Sequence, residues 1–191
     1  LVSYMPGLMT LFSFTLGFLP DAWGVRRTIT VAAACAVAGR TLLAGAPSLG
    51  IPSAVVGLTL MALAAGVIQP AIYAGVKQVT DERTKALGFS LLYALMNGGI
   101  VLESLASSPV RAWRGTGGVF WMCVGITAAY LAAHIALFPG NKGEPVPVAR
   151  EARETGWKEM GILNGRFLFF IFILLGVRTL FAHQWLTLPD Y

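Results

Sequence analysis

Gly17-Phe-Leu-Pro-Asp21-Ala-Trp-Gly24-Val-Arg26-Arg27-Thr28 is the stretch whose reading decides the fold. It lies between two apolar runs and carries the first charges of the chain. Asp21 is placed to accept hydrogen bonds from the backbone N–H groups that open the next helix, where negative charge is favoured. Gly24 permits a tight turn, and Arg26 and Arg27 can pair with carboxylates or lipid phosphates. A plain positively charged loop with a turn glycine would account for the same residues.

The surroundings have a membrane composition. Of 191 residues, 56% are apolar and 12% are charged, against about 25% charged in a soluble domain. Mean hydropathy is +0.70. The net charge of +5 does not point to nucleic acid, because the basic residues are confined to particular loops. Cys35 and Cys123 lie in apolar runs with no ligand at metal-binding spacing. They read as small buried hydrophobes, and no cofactor or metal is expected.

Hydropathy predicts an all-α bundle with six membrane spans, at 1–19, 28–45, 53–76, 86–107, 119–138 and 167–188, since a span needs about 20 apolar residues. The Gly45–Pro52 segment separates the second span from the third. Lys77 to Lys85 is a charged loop, Ser108 to Gly118 a turn-rich loop, and 139–165 the longest polar stretch. With the Asp21 loop inside, the inner loops hold ten basic residues (26, 27, 77, 83, 85, 142, 150, 153, 158 and 166) and the outer loops two, Arg111 and Arg114. So unequal a division is a positive-inside signal in its own right.

The order G-x-L-x-D-x-x-G-x-R-R, carried by Gly17, Asp21, Gly24, Arg26 and Arg27, resembles the loop between the second and third helices of major facilitator superfamily transporters. Pro20 stands where that family has a small residue. The resemblance implies a cytoplasmic loop that helps latch the gate. It also implies that 1–138 holds five helices of an N-terminal bundle, 139–165 the cytoplasmic inter-bundle linker and 166–191 the first helix of a C-terminal bundle. The chain is then expected to be a fragment covering family helices two to seven, whose partner is the missing half of the protein.

Charged residues inside spans are costly and mark function or pairing. Arg40 and Arg178 are both expected near the midplane, about 18 Å from the cytoplasmic end at about 1.5 Å per residue. Each can bind an anionic group on a substrate, control a coupling carboxylate or form a structural ion pair. Phe181 and Trp185 share a helix face with Arg178 and favour a cavity there. Glu103 is expected to snorkel or to pair with Arg111 or Arg114. His134 reads as a hydrogen-bonded packing residue, and His183 is open between packing and function. Thr59, Gly66, Gln69, Tyr73 and Lys77 share one face of the third span, and Ser90, Tyr93, Asn97 and Ser104 one face of the fourth. Such stripes serve as interhelical glue or as substrate contacts.

Gly66-Val-Ile-Gln69-Pro70 and Phe89-Ser-Leu-Leu-Tyr93-Ala-Leu-Met-Asn97-Gly-Gly99 are similar to helices four and five of the proton-dependent oligopeptide transporters. Gln69 occupies the place of that family's lysine. The resemblance implies a small-molecule cargo, with a peptide among the options, and protons as the coupling ion. The expected function is secondary active transport of a small polar or anionic organic solute by alternating access. Arg40, Gln69, Tyr73, Tyr93, Asn97, Arg178 and Trp185 are the candidate substrate-binding residues. The alternative is a transporter-derived membrane sensor or scaffold that moves nothing. No H-E-x-x-H, G-x-S-x-G or intramembrane carboxylate pair supports an enzyme.

Overall fold

The backbone of an apolar span must satisfy its own hydrogen bonds, and only a helix does so within a single segment. The computed structural model of the chain, which describes residues 4–137, is helical almost throughout that range. Six helices follow in order: α1 (Tyr4–Leu16), α2 (Leu19–Trp23), α3 (Val25–Ala44), α4 (Ala46–Leu49), α5 (Ile51–Val79) and α6 (Lys85–Leu137). Of these, α3, α5 and α6 are long and apolar enough to cross a membrane, and α1 is a shorter apolar helix.

α6 contains two crossings. Its 53 residues would measure about 80 Å as one rod, against about 30 Å for the hydrocarbon core. The backbone leaves helical geometry at Gly115, with φ 67° and ψ −171°, a conformation open essentially to glycine alone. The chain folds back there. The Cys123 thiol lies 3.8 Å from Glu103 Oε1, although the two residues would be about 30 Å apart on a straight helix. The first limb is 85–114 and the second 116–137. The turn-rich loop expected at Ser108 to Gly118 is therefore corrected to helix on both sides of a single glycine. Pro109 is accommodated inside the first limb.

Connections alternate between two ends. A Cβ added to Gly75 on α5 would stand 3.3 Å from Val25 at the start of α3. Val25, Ile29 and Ala71 form a buried cluster with Ile72 and Ala74 packed on it. The second limb of α6 runs antiparallel to α3, with Ile135 beside Arg26 and Cys123 beside Arg40. The Asp21 segment, the 80–84 turn and the close of α6 thus share one end of the bundle. The α3–α5 connection and Gly115 share the other. Arg26, Arg27, Lys77, Arg83 and Lys85 lie at the first end, and Arg111 and Arg114 at the second. The basic residues gather at the first end, which the positive-inside rule assigns to the cytoplasm.

Small residues bring the helices together, as expected where no water drives helices into contact. Gly39 of α3 and Gly57 of α5 face each other so closely that a Cβ on either would lie 2.7 Å from the carbonyl oxygen of the other. Gly66 of α5 meets α1 in the same way, 2.8 Å from the Met9 carbonyl oxygen and 2.9 Å from Phe12 Cβ. Hydroxyls in the spans turn back on their own helix. Thr10, Thr28, Thr41, Thr59 and Thr127 each donate to the carbonyl four residues earlier. Apolar surroundings leave a hydroxyl few other acceptors.

Candidate functional site: the cytoplasmic hairpin and the interior polar residues

The hairpin is built on a short helix and one glycine. Gly17 lies in the turn after α1, where an added Cβ would collide with the Ser13 carbonyl oxygen. Pro20 opens α2 and is buried. Asp21 sits inside α2 and does not cap the next helix. The N-cap of α3 is Gly24, with no side-chain cap hydrogen bond. This corrects the expected role of Asp21 as a cap, and the reason is local: three residues of helix and turn separate its carboxylate from α3. Gly24 has φ 84° and ψ 149°, again a conformation for glycine. α3 therefore starts at Val25, and both arginines are helical.

Positive charge in the first turn of a helix opposes the helix dipole. Arg26 reaches away from its own helix, and its Nη2 donates to the Ile135 carbonyl at 3.2 Å. That carbonyl lies in the last described turn of α6, and a carbonyl oxygen has a second lone pair open to such a donor. His134 completes the clasp in reverse. Its Nε2 donates to the Arg26 carbonyl at 3.3 Å, and its ring stacks on Tyr130 with centroids 6.1 Å apart. His134 is buried, consistent with a hydrogen-bonded packing residue. Asp21 and Arg27 remain exposed.

The turn between α5 and α6, at the same end, is capped. Asp81 Oδ1 accepts hydrogen bonds from the Thr84 hydroxyl at 2.6 Å, Thr84 N at 2.8 Å and Arg83 N at 3.1 Å. The Thr84 hydroxyl, then the Thr84 amide, hold the carboxyl of Asp81 below its ordinary value, because these bonds favour the ionised form. Lys85 pairs with Glu82 at 3.0 Å on the surface, which is worth little in water.

Interior polar residues divide into two groups. Arg40 is half-buried on α3 and donates from Nη1 to the Cys123 carbonyl at 3.3 Å. It lies about 22 Å along α3 from Val25. That is past the middle of the helix toward its outer end, because α3 begins earlier than hydropathy indicated. Glu103 approaches Arg40 through Cys123, whose thiol contacts the Glu103 carboxylate. The expected pairing of Glu103 with Arg111 or Arg114 does not occur. The only salt bridge among the described residues joins Lys85 to Glu82. Cys123 was legible only as an apolar filler. Its position between an arginine and a glutamate follows from the hairpin at Gly115.

The second group lies on α5 and the first limb of α6. Tyr73 packs its ring against Phe89 at 5.9 Å between centroids. Gln69 is half-buried and makes no side-chain hydrogen bond among the described residues. Asn97 donates to the Tyr93 carbonyl at 2.9 Å, and both side chains are exposed. Thr59 and Asn97 thus bond within their own helices and do not glue one helix to another. Arg40 turns toward α6 and makes its hydrogen bond there, not with Gln69 or Tyr73. Arg178, His183 and Trp185 lie outside the described residues, as does the 139–165 linker.

No curated protein matches this chain. Residues 1–188 match the family model of the Major Facilitator Superfamily. Apolar helices that double back across a bilayer, basic residues gathered at one end and a Gly-Asp-Gly-Arg-Arg hairpin at that end agree with the match. The chain is a multi-pass integral membrane protein and belongs to the Major Facilitator Superfamily of membrane transporters.

Proposed function

We propose that this chain serves secondary active transport of a small polar or anionic organic solute by alternating access. The observation that carries the reading is Arg40. A guanidinium has several N–H donors and is never deprotonated in proteins. Held half-buried in an apolar helix, Arg40 spends one hydrogen bond on a backbone carbonyl and makes no other among the described residues. Its other N–H donors suit a carboxylate or phosphate on a solute. Gln69 adds an uncommitted amide, and Tyr73, Tyr93 and Asn97 add polar edges on the neighbouring helices. Arg178 and Trp185 complete the proposed solute contacts. Gly17, Asp21, Gly24, Arg26 and Arg27 form the cytoplasmic gating element, in which the Arg26 clasp holds the hairpin to α6. Proton coupling and a peptide-like cargo belong to the same reading and draw support from the Gly66–Pro70 and Phe89–Gly99 resemblance.

The test is uptake into proteoliposomes carrying the protein, with and without an inward proton gradient, over a panel of anionic, zwitterionic and dipeptide solutes. Accumulation that needs the gradient supports coupled transport. Arg40→Gln should abolish uptake of anionic solutes while expression and monodispersity stay normal. Unchanged uptake in that variant would remove Arg40 from the site. Solute binding without uptake would favour the sensor or scaffold alternative.

A further inference from the structure

An apolar groove of about 310 Å³ opens beside the hairpin, lined by Leu16, Leu19, Trp23, Val31, Leu63 and Val67, with Thr28 and Ala32 at its floor. Among the described residues no polar group is available within it. The Thr28 hydroxyl is buried and spent on the Gly24 carbonyl at 2.9 Å. The groove starts at the cytoplasmic end, where Trp23 is 52% exposed, and runs into the bundle between α1, α3 and α5. Indole rings favour the level of lipid headgroups. Arg27 stands at the same rim: it precedes Thr28 and lies one turn before Val31 on the same helix face. Arg27 is exposed and, unlike Arg26, makes no hydrogen bond or ion pair among the described residues.

A groove that is apolar along its length and carries an uncompensated cation at the headgroup level matches one kind of molecule in shape and charge. We infer that it holds an acyl chain of an anionic phospholipid, with the headgroup phosphate on Arg27 and the chain along Trp23, Val31 and Leu63. Basic pockets between helices on the cytoplasmic side are chemically suited to such lipids. This site is separate from the interior polar residues and does not depend on what is transported.

The test uses the full chain in nanodiscs of phosphatidylcholine doped with either phosphatidylglycerol or phosphatidylcholine carrying dibrominated acyl chains. Bromine quenches a tryptophan it touches, and the difference between wild type and Trp23→Phe isolates Trp23 among the five tryptophans. Trp23 should be quenched by the anionic lipid at about one-fifth the mole fraction needed with the zwitterionic lipid, the worth of one basic residue near a charged surface. Arg27→Gln should erase that preference, and Val31→Phe, which fills the groove, should reduce quenching by both lipids. Equal quenching by the two lipids, or a preference that survives in Arg27→Gln, would overturn the inference. So would the absence of quenching by either lipid, which would mean that another protein segment covers the groove.

Discussion

Replacing Gly57 by alanine probes a close approach of α3 and α5. The new Cβ would meet the Gly39 carbonyl oxygen at 2.7 Å, Leu43 N at 3.0 Å and Leu42 Cβ at 3.3 Å. Comfortable non-bonded contacts lie at about 3.5–4.0 Å, so α3 and α5 must part by roughly 0.5–1 Å. Overpacking of this kind costs about 1–3 kcal/mol. Alanine returns about 1 kcal/mol through its better helix propensity, leaving a net loss of up to about 2 kcal/mol. Gly98 is the matched control. It is helical, and among the described residues nothing lies within 4 Å of the Cβ it would gain, so Gly98→Ala keeps the propensity gain without a clash against them. The two variants should differ by about 1–3 kcal/mol. At about 2–4 °C per kcal/mol for a chain of this length, Gly57→Ala should melt several degrees below Gly98→Ala. Thermal unfolding of purified protein in detergent, followed by fluorescence-detected gel filtration, reads the difference. Equal melting temperatures, or Gly57→Ala melting above wild type, would refute the packing described for α3 and α5.

Arg26→Gln should lower the melting temperature by the worth of about 1 kcal/mol, the net value of a hydrogen bond in a half-exposed setting. Arg27→Gln, which loses no hydrogen bond or ion pair among the described residues, should stay within about 0.5 kcal/mol of wild type; a reversed order in a melting assay would contradict the Arg26–Ile135 clasp. The Asp81 turn should contribute stability at neutral pH that fades in acid. Its carboxyl is held below its unfolded value, so the contribution is fully present above the unfolded pKa and is lost as pH falls through the folded one. The melting difference between wild type and Asp81→Asn should therefore shrink from pH 7 toward pH 3, and a difference that stays constant would show that the ionised carboxylate is not what holds the turn.

Much of the architecture was legible because a bilayer leaves a chain few choices. Apolar runs had to be helices, and the division of Arg and Lys between loops had to orient them. Composition and the gathering of basic residues at one end therefore came from the residues alone, as did the break between α3 and α5 and the placing of Asp21 and Lys77 at one end. The Ser108 to Gly118 segment misled because serine, proline and glycine signal a loop in water. Near the edge of a bilayer, helix satisfies the backbone better, and one glycine suffices to reverse the chain.

Tertiary structure decided which of several similar residues does what. Gly57 and Gly98 look alike in sequence, yet one is pressed against Gly39 and the other meets nothing within 4 Å among the described residues. Arg26 and Arg27 are neighbours, yet of the two only Arg26 bonds to the Ile135 carbonyl of α6. Glu103 and Cys123 touch because the hairpin at Gly115 folds one limb onto the other. Hydropathy records how much each residue prefers lipid to water, and so it counts and orients the helices. Partners across helices depend on rotation about each helix axis and on register between helices, and those are settled only when side chains pack.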